Sequence, residues 1–346
     1  MLTFLQFNVA QIPVAYYNSA QGLSGAPLKL ALHNIIDNHT SVNYSSLWTH
    51  FQTTDVKPNG KVWDIYSDVP NGTPPYQFTF TTSQCGSYQL EGDCYNREHS
   101  WPQSWFNSIT TPSSDMFHIY PTDGKVNGIR SNFPYGEVAV AGITTLNGSM
   151  LGTSATLDYT GTVFEPIDEY KGDLARGYFY MSTRYMGEDS SWSSASGQMT
   201  NKSEILPWGL ALLLSWHHAD TVSTKELNRN NAIYQIQHNR NPFIDNPQWA
   251  DSIWSQVITN FKTNQSKTLR FGMMPNPTNG DITIQIDSSQ LLNAHLCIKN
   301  LCGQFVSDYA INNPIENISI TNLCKGIYIV EMQNNLGTTS QKLVVK

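Results

Sequence analysis

The sequence predicts an α+β domain followed by a small all-β sandwich, on three observations. Composition changes along the chain: all nine Trp and every Arg precede residue 271, and only one of the nine His follows it. Helical periodicity and capping signals recur before residue 240. From residue 271 onward the pattern is that of short alternating strands separated by Asn, Pro and Gly turns. At 346 residues the chain has room for two separate cores, a single oversized domain being the alternative.

The elements follow in chain order. Residues 1–10, MLTFLQFNVA, are mostly apolar but lack the basic start of a secretory leader, and read as a truncated leader or a first strand. Residues 61–66, 77–82 and 137–143 are the strand candidates of the first domain. Over 173–185, Leu174, Tyr178, Met181 and Tyr185 recur at helical spacing. Residues 204–217 are apolar nearly all round, which predicts a central buried helix, with His217-His218 at its end as a C-terminal cap rather than a metal pair. Ser223-Thr224-Lys225-Glu226 matches a capping box and opens a helix to about His238, stopped before Pro242. Residues 262–269, KTNQSKTL, are polar and aperiodic, as a linker is, which puts the boundary near residue 268. In the tail Ile282, Ile284 and Ile286 alternate with polar residues after the turn-rich PNPTNG of 275–280, and 326–330 and 342–345 are two more strands. A small antiparallel sandwich suits that spacing.

Charge and cysteine usage exclude several functions. Lys and Arg total 20 against 27 Asp and Glu, a net charge of -7, so the surface as a whole repels nucleic acid and acidic membranes, and any polyanion site must be a local basic patch. With 40% hydrophobic and 12% aromatic residues the chain is folded rather than disordered. Its longest apolar run, 210–214, falls far short of the ~20 residues that span a bilayer, so a soluble protein with no membrane span is expected. The five Cys show no CxxC spacing, which argues against zinc and against a thioredoxin-like motif. Cys85 and Cys94 either close a small loop or stand as free thiols. Trp101, Trp105 and Trp208 read as core aromatics.

The densest cluster of reactive side chains is NREHSWPQSWF at 96–106. Its adjacent Glu98 and His99 can supply a cation ligand and a general base together, the bland alternative being two polar residues at a strand end. On a regular strand they would point to opposite faces, so a shared site calls for an irregular or strongly twisted backbone. A second cluster runs from Ser114 and Asp115 through His118 to Asn132. There Pro121 and Asp123 resemble a helix start, and helical spacing would put Asn127, Arg130 and Ser131 on one face. Glu98 and Asn127 offer two hard oxygens, a set that suits Mg²⁺ retaining several waters better than Zn²⁺, with phosphate completing the shell.

These segments resemble the bacterial endonuclease I family of secreted DNA/RNA nucleases with a ββα-metal (His-Me finger) site. The resemblance covers roughly residues 12–250. It rests on NREHSWPQSWF, on YPTDGKVNGIRSNFPYGEV at 120–138, on LARGYFYMSTRY at 174–185 and on NRNNAIYQIQHNRNPFIDNP at 228–247. It implies His99 as general base, Glu98 and Asn127 as metal ligands, Arg130 as a phosphate contact and charge-stabilising residue, Arg97 as a further phosphate contact, and Arg240 as either a phosphate contact or a structural pairing residue. Mg²⁺ would be the cofactor, with Mn²⁺ or Ca²⁺ as substitutes. One departure is Phe117, where the family usually carries a His before the residue matching His118.

The tail resembles the type IX secretion sorting domain of Bacteroidota, through PNPTNG, GIYIV at 326–330 and KLVVK at the end. With a truncated leader or N-terminal segment at 1–12, the resemblances imply a mixed ββα-metal nuclease domain at 13–261, a linker at 262–270 and a sorting domain at 271–346. They imply a secreted or surface-held monomer whose partners are the backbone of DNA, with RNA left open, and the type IX machinery. A surface adhesion protein on a degenerate nuclease fold, and a phosphodiesterase of small substrates, are the competing readings.

Overall fold

The computed structural model describes residues 12–156, 158–193, 198–254, 269, 271–286, 291, 293–301, 303–334 and 337–346. The start at 1–11 and the polar stretch 262–268 lie outside these residues. The chain divides into two compact units, Met1–Ile258 and Thr259–Lys346. No helix among the described residues is long and apolar enough to cross a membrane.

The first unit opens with helices α1 (Gly25–Ile36) and α2 (Leu47–Thr54). An antiparallel hairpin follows, β1 (Tyr95–His99) against β2 (Ile119–Asp123), in a register that sets Glu98 opposite Tyr120 and His99 opposite Ile119. Helix α3 (Gly124–Arg130) starts directly from β2, completing a ββα unit. Asp123 is its N-cap, the carboxylate accepting the Val126 amide at 2.8 Å, as the first-turn orphan donors require. Pro121 therefore sits inside the strand, not at the helix start that its spacing suggested.

Strands β3 (Val138–Thr144), β4 (Met150–Ser154) and β5 (Thr162–Glu165) form a second antiparallel sheet. Helix α4 (Lys171–Arg184) is buried at every position, so the predicted apolar stripe is only part of its packing. Its charged residues are inside with partners: Arg176 donates to Glu226 at 2.8 Å. Gly172 lets the helix start come this close to its neighbour, since a Cβ there would lie 2.2 Å from the Asp220 carbonyl oxygen.

A short pair, β6 (Thr200–Asn201) and β7 (Glu204–Ile205), precedes α5 (Pro207–Ala219), which begins at Pro207 rather than at residue 204. Proline at the first helical position lacks an amide that would be unpaired anyway, so the helix starts there. Helix α6 (Thr224–Gln237) carries the capping box of Ser223 and Glu226 in full, and α7 (Pro242–Asp245) follows.

Two strand expectations fail. Residues 61–66 make a single bridge, Val62 to Val56, and otherwise form a turn around Asp64, which accepts the amides of Tyr66 at 2.8 Å and Asp123 at 3.0 Å. Residues 77–82 likewise form no strand, although the Phe78 carbonyl accepts the Val62 amide at 3.0 Å. Val62, Ile65, Tyr66 and Phe78 are buried from loops rather than from a sheet.

Among the described residues the second unit is an antiparallel sandwich of seven strands: β8 (Phe271–Met274), β9 (Ile282–Ile286), β10 (Ala294–Asn300), β11 (Phe305–Ile311), β12 (Ile315–Ile318), β13 (Gly326–Asn334) and β14 (Gly337–Val345). One sheet runs β11-β10-β13-β14 and the other β12-β9-β8. Ile282, Ile284 and Ile286 from one sheet share a core with Leu296, Ile298, Val330 and Leu343 from the other. The PNPTNG turn is stitched to the last strand, Asn276 accepting the Val344 amide at 2.9 Å and the Thr278 amide donating to the Val344 carbonyl at 2.9 Å.

Cys85 and Cys94 form a disulfide with a Cα–Cα distance of 5.7 Å, and Cys297 and Cys324 are free thiols. The bridge joins residues nine positions apart, closing a loop just ahead of β1. Replacing both cysteines by Ser is expected to lower the stability of the first unit by about 2–3 kcal/mol, by restoring freedom to that loop in the unfolded chain. Urea unfolding followed by Trp fluorescence, which reports only this unit, checks it; an unchanged midpoint would show the bridge to be energetically idle.

Candidate active site at the end of the hairpin

A cleft of about 310 Å³ opens where β1 ends, lined by Arg97, Glu98, His99, Gln103, Asn127 and Ser131 among others. Of the irregular or strongly twisted backbone expected here, irregularity is absent, since the β1–β2 ladder runs in register through His99. The two neighbours reach one cleft because His99 is the last residue of the strand, where the chain turns away through Ser100 and Pro102.

Glu98 is buried at 2% exposure. Its Oε1 accepts from the Tyr66 hydroxyl at 3.0 Å and from Arg130 at 2.9 Å, while the Tyr66 and Tyr135 hydroxyls share a bond at 2.8 Å. Oε2 accepts neither of these bonds. Burial raises the carboxyl's pKa above its ordinary value, with Arg130 and Tyr66 pulling against it. Asn127 donates its amide nitrogen to Asn96 Oδ1 at 2.7 Å, which leaves its own Oδ1 as an acceptor at the cleft. Asn96 lies two residues before Glu98, on the same strand face.

His99 packs against Tyr44, with ring centroids 5.8 Å apart and nearly parallel, and against Phe106 and His118. Its Nε2 lies 3.1 Å from the Ser113 carbonyl oxygen. A carbonyl can only accept, so Nε2 carries the proton and Nδ1 keeps a lone pair. Burial, with help from the nearby His118, pushes the ring's pKa down to about 3 and so holds it neutral. His118 repeats the device, donating from Nε2 to the Pro112 carbonyl at 2.7 Å. The two rings thus clip adjacent carbonyls of one loop.

The three arginines named by the sequence divide sharply. Arg97 faces the cleft, with its guanidinium 3.8 Å above the Tyr44 ring and 4.5 Å from that of Trp48, and donates to the Tyr44 carbonyl at 3.0 Å. It makes no ion pair with a carboxylate among the described residues. Arg130 is fully buried and donates to Glu98, to the His99 carbonyl at 2.8 Å and to the Ser100 carbonyl at 2.5 Å. Asn127 and Ser131 line the cleft but Arg130 points beneath it, so the expected common face and direct phosphate contact are corrected to a supporting role. Arg240 is 1% exposed and donates to Asp245 at 2.6 and 2.8 Å and to Asn231 at 2.8 Å. It does not line the cleft and is paired with Asp245 on α7 inside the fold.

Phe117 packs on Tyr180 with centroids 4.6 Å apart, inside the core. Trp101, Trp105 and Trp208 are buried. His217 binds the Pro247 carbonyl and His218 pairs with Asp251, so they do not act as a metal pair. Sequence reasoning missed Tyr66, Tyr135, Asn96 and the Ser113 carbonyl; only Asn96, two positions ahead of Glu98, had a readable signal. Elsewhere His33, Asp37 and Glu188 bring ligand atoms within 4.8 Å of one another. Arg184 already pairs with both of those carboxylates, at 3.1 and 2.7 Å, and none of the three lines the cleft.

Comparison with protein families matches residues 24–248 to Endonuclease I and residues 272–346 to the secretion system C-terminal sorting domain. The extracellular ribonuclease of Bacillus amyloliquefaciens is 37% identical over 243 residues, spanning 69% of this chain and 78% of that protein. The extracellular ribonuclease of Bacillus subtilis (strain 168) is 35% identical over 246 residues, with 69% and 78% covered. The endonuclease-1 of Buchnera aphidicola subsp. Baizongia pistaciae (strain Bp) is 32% identical over 131 residues, 38% of this chain and 46% of that protein.

Burial, against the pull of Asp115, sets the His118 pKa at about 4, so the ring is expected to stay neutral in NMR spectra down to about pH 5. Between that value and the ordinary ~6.5 the unfolded chain binds the extra proton, so the ring's contribution to stability is complete above pH ~6.5 and is lost on acidification. A His118 titration midpoint near 6.5 would overturn this account of the loop.

Proposed function

The chain belongs to the Endonuclease I family and ends in a type IX secretion sorting domain, which makes it a secreted nuclease; from that premise we propose that it is a Mg²⁺-dependent endonuclease that hydrolyses DNA and RNA with little sequence preference, using His99 as general base. The observation that carries this reading is the His99 ring, whose Nε2 proton is held by the Ser113 carbonyl while Nδ1 keeps its lone pair at the cleft. His118 is held in the same way but does not line the cleft; His99 does, beside Glu98 and Asn127.

The donor set fits a hard cation. Glu98 and Asn127 would hold it through carboxylate and amide oxygens, with waters and phosphate oxygens filling the shell, as Mg²⁺ prefers; Mn²⁺ and Ca²⁺ accept the same donors. When bound, such an ion neutralises charge on the phosphoryl oxygens and on the departing 3′-oxygen. His99 Nδ1 takes the proton of the attacking water, and the Ser113 carbonyl stabilises the imidazolium that results. Arg97, the cleft cation without a carboxylate partner, grips the phosphate with its planar donors. Arg130 acts as a positioning residue, holding Glu98 and the carbonyls of His99 and Ser100. Contacts of this kind address the backbone rather than base edges, and so carry little sequence information.

Plasmid nicking with and without EDTA tests the reading. His99→Ala is expected to lower the rate by roughly 10²-fold to 10⁴-fold with Mg²⁺ affinity kept. Glu98→Ala and Asn127→Ala should instead move the Mg²⁺ half-saturation point upward. Full cleavage in EDTA, or near-wild-type cleavage by His99→Ala, would falsify it.

Every proposed catalytic and metal-binding residue lies between Arg97 and Arg130, in the first unit. A chain ended at residue 268 is therefore expected to keep full nuclease activity in vitro and to fail to leave the native cell. Loss of cleavage by a well-folded truncated protein would instead make the tail part of the substrate site.

A further inference from the structure

One aromatic ring touches two of the cleft residues. Arg97 and His99 lie two positions apart on β1, so their side chains leave the strand on the same side. The Tyr44 ring lies nearly parallel to the His99 ring, at 27° with centroids 5.8 Å apart, and the Arg97 guanidinium sits 3.8 Å from its centre. The Tyr44 carbonyl also accepts from Arg97 at 3.0 Å. The tyrosine comes from a distant segment, the short turn Tyr44–Ser46 ahead of α2. That turn is held from both ends. Asn43 Oδ1 accepts the Ser45 amide at 2.9 Å, and α2 follows at once with Leu47 and Phe51 fully buried.

Neither burial nor hydrogen bonding accounts for an aromatic ring at this position. Tyr44 is 37% exposed, and its hydroxyl makes no hydrogen bond among the described residues. The ring supplies what the two cleft residues lack. His99 is fixed at its Cβ and, through Nε2, at the Ser113 carbonyl. An imidazole held at those two points alone can pivot about the line between them and swing Nδ1 away from the cleft. A flat ring stacked on it stops that pivot, and its π face attracts the imidazolium formed when Nδ1 takes a proton. Arg97 makes no ion pair with a carboxylate among the described residues. An aromatic face orders a guanidinium without neutralising it, so its charge stays available to a phosphate. Trp48 shares the guanidinium at 4.5 Å, but it packs on Phe51 and Tyr95 rather than on His99.

Resting on the reading of His99 as base and Arg97 as phosphate contact, we propose that Tyr44 is the positioning residue for both, aiming Nδ1 and ordering the guanidinium with a single ring. Its loss therefore acts twice, on the chemical step through His99 and on phosphate binding through Arg97.

Single-turnover cleavage of a fluorescent single-stranded oligonucleotide by the full chain with Mg²⁺ separates binding from chemistry. Tyr44→Ala is expected to lower the maximal rate about 10-fold, a part of what a general base supplies, and to raise the half-saturating enzyme concentration about 3-fold, the scale of one cation–π contact. Tyr44→Phe, which keeps the ring, restores both values. Two further backgrounds distinguish positioning from folding. With His99→Ala in place, adding Tyr44→Ala no longer slows the maximal rate but still weakens binding; with Arg97→Ala in place, it still slows the rate but no longer weakens binding. A structural role gives equal losses in all three backgrounds, and that result overturns the proposal. So does a Tyr44→Ala variant within about 2-fold of wild type on both values, or a Tyr44→Phe variant no better than the alanine one. Tyr44→Leu carries the same test if the alanine variant does not fold, and failure of both to fold makes the residue structural and overturns the proposal as well. If His99→Ala and Arg97→Ala by themselves cleave as wild type does, the reading of the site fails. If both are impaired and Tyr44 is idle, the assignment of Tyr44 alone fails.

Discussion

The buried contact between Arg130 and Glu98 is the constraint on which the rest of the site depends. Arg130 closes α3 and sends its donors to Glu98, to the His99 and Ser100 carbonyls and toward the Tyr178 hydroxyl of α4, while its guanidinium lies 4.6 Å from the Tyr135 ring. A buried ion pair of this kind is poor evidence of net stability, because desolvation offsets most of its attraction, but removing one partner strands the other charge. Its value is geometric. One side chain fixes the end of β1, the end of α3 and the middle of α4 relative to one another, and so fixes where Glu98, His99 and Asn127 open.

The same pattern recurs through the first unit. Asp115 accepts from Tyr180 at 2.8 Å, from Tyr185 at 3.0 Å and from the Gln237 amide at 3.1 Å, fixing the loop whose carbonyls hold His99 and His118. Arg229 donates to Asp55 at 2.8 Å and to the carbonyls of Met116 and Ile119, both at 2.7 Å, bracing the start of β2 from α6. Buried polar networks are costly when incomplete and specific when complete. Here they surround the hairpin on the sides away from the cleft, so the proposed base is oriented by a framework that itself takes no part in the reaction.

What the sequence revealed was local. The capping box of Ser223 and Glu226, the periodic Leu174 and Tyr178, and the alternating Ile282, Ile284 and Ile286 each encode their element within a few residues, and each element is present. The elements at 61–66 and 77–82 misled because apolar alternation also arises when loop residues such as Val62 and Phe78 dip into a core. In the site, Glu98, His99 and Asn127 were legible as residue types. The Ser113 carbonyl was not, since a backbone atom carries no residue signature. Neither was the inward turn of Arg130, which depends on Tyr66, Tyr135 and Tyr178, residues brought to it from three other segments. Phe117, which looked like a missing polar partner, is a core residue.

The buried arginines also bear on how an acidic protein takes a polyanionic substrate. Arg130, Arg176, Arg229 and Arg240 each face a carboxylate inside the fold, at Glu98, Glu226, Asp55 and Asp245. Of the 20 basic residues, these four contribute nothing to the field outside, and the acids that neutralise them contribute nothing either. The surface excess of negative charge therefore stands undiminished, and long-range attraction cannot gather nucleic acid onto this molecule. Attraction has to be short-ranged, from Arg97 held over Tyr44 and Trp48 and from the cation that Glu98 and Asn127 would carry. Under the proposed chemistry, a cleft whose positive charge is concentrated at the scissile phosphate, on a surface that repels the flanking ones, would hold its substrate mainly where it is cut and release the cleaved ends readily.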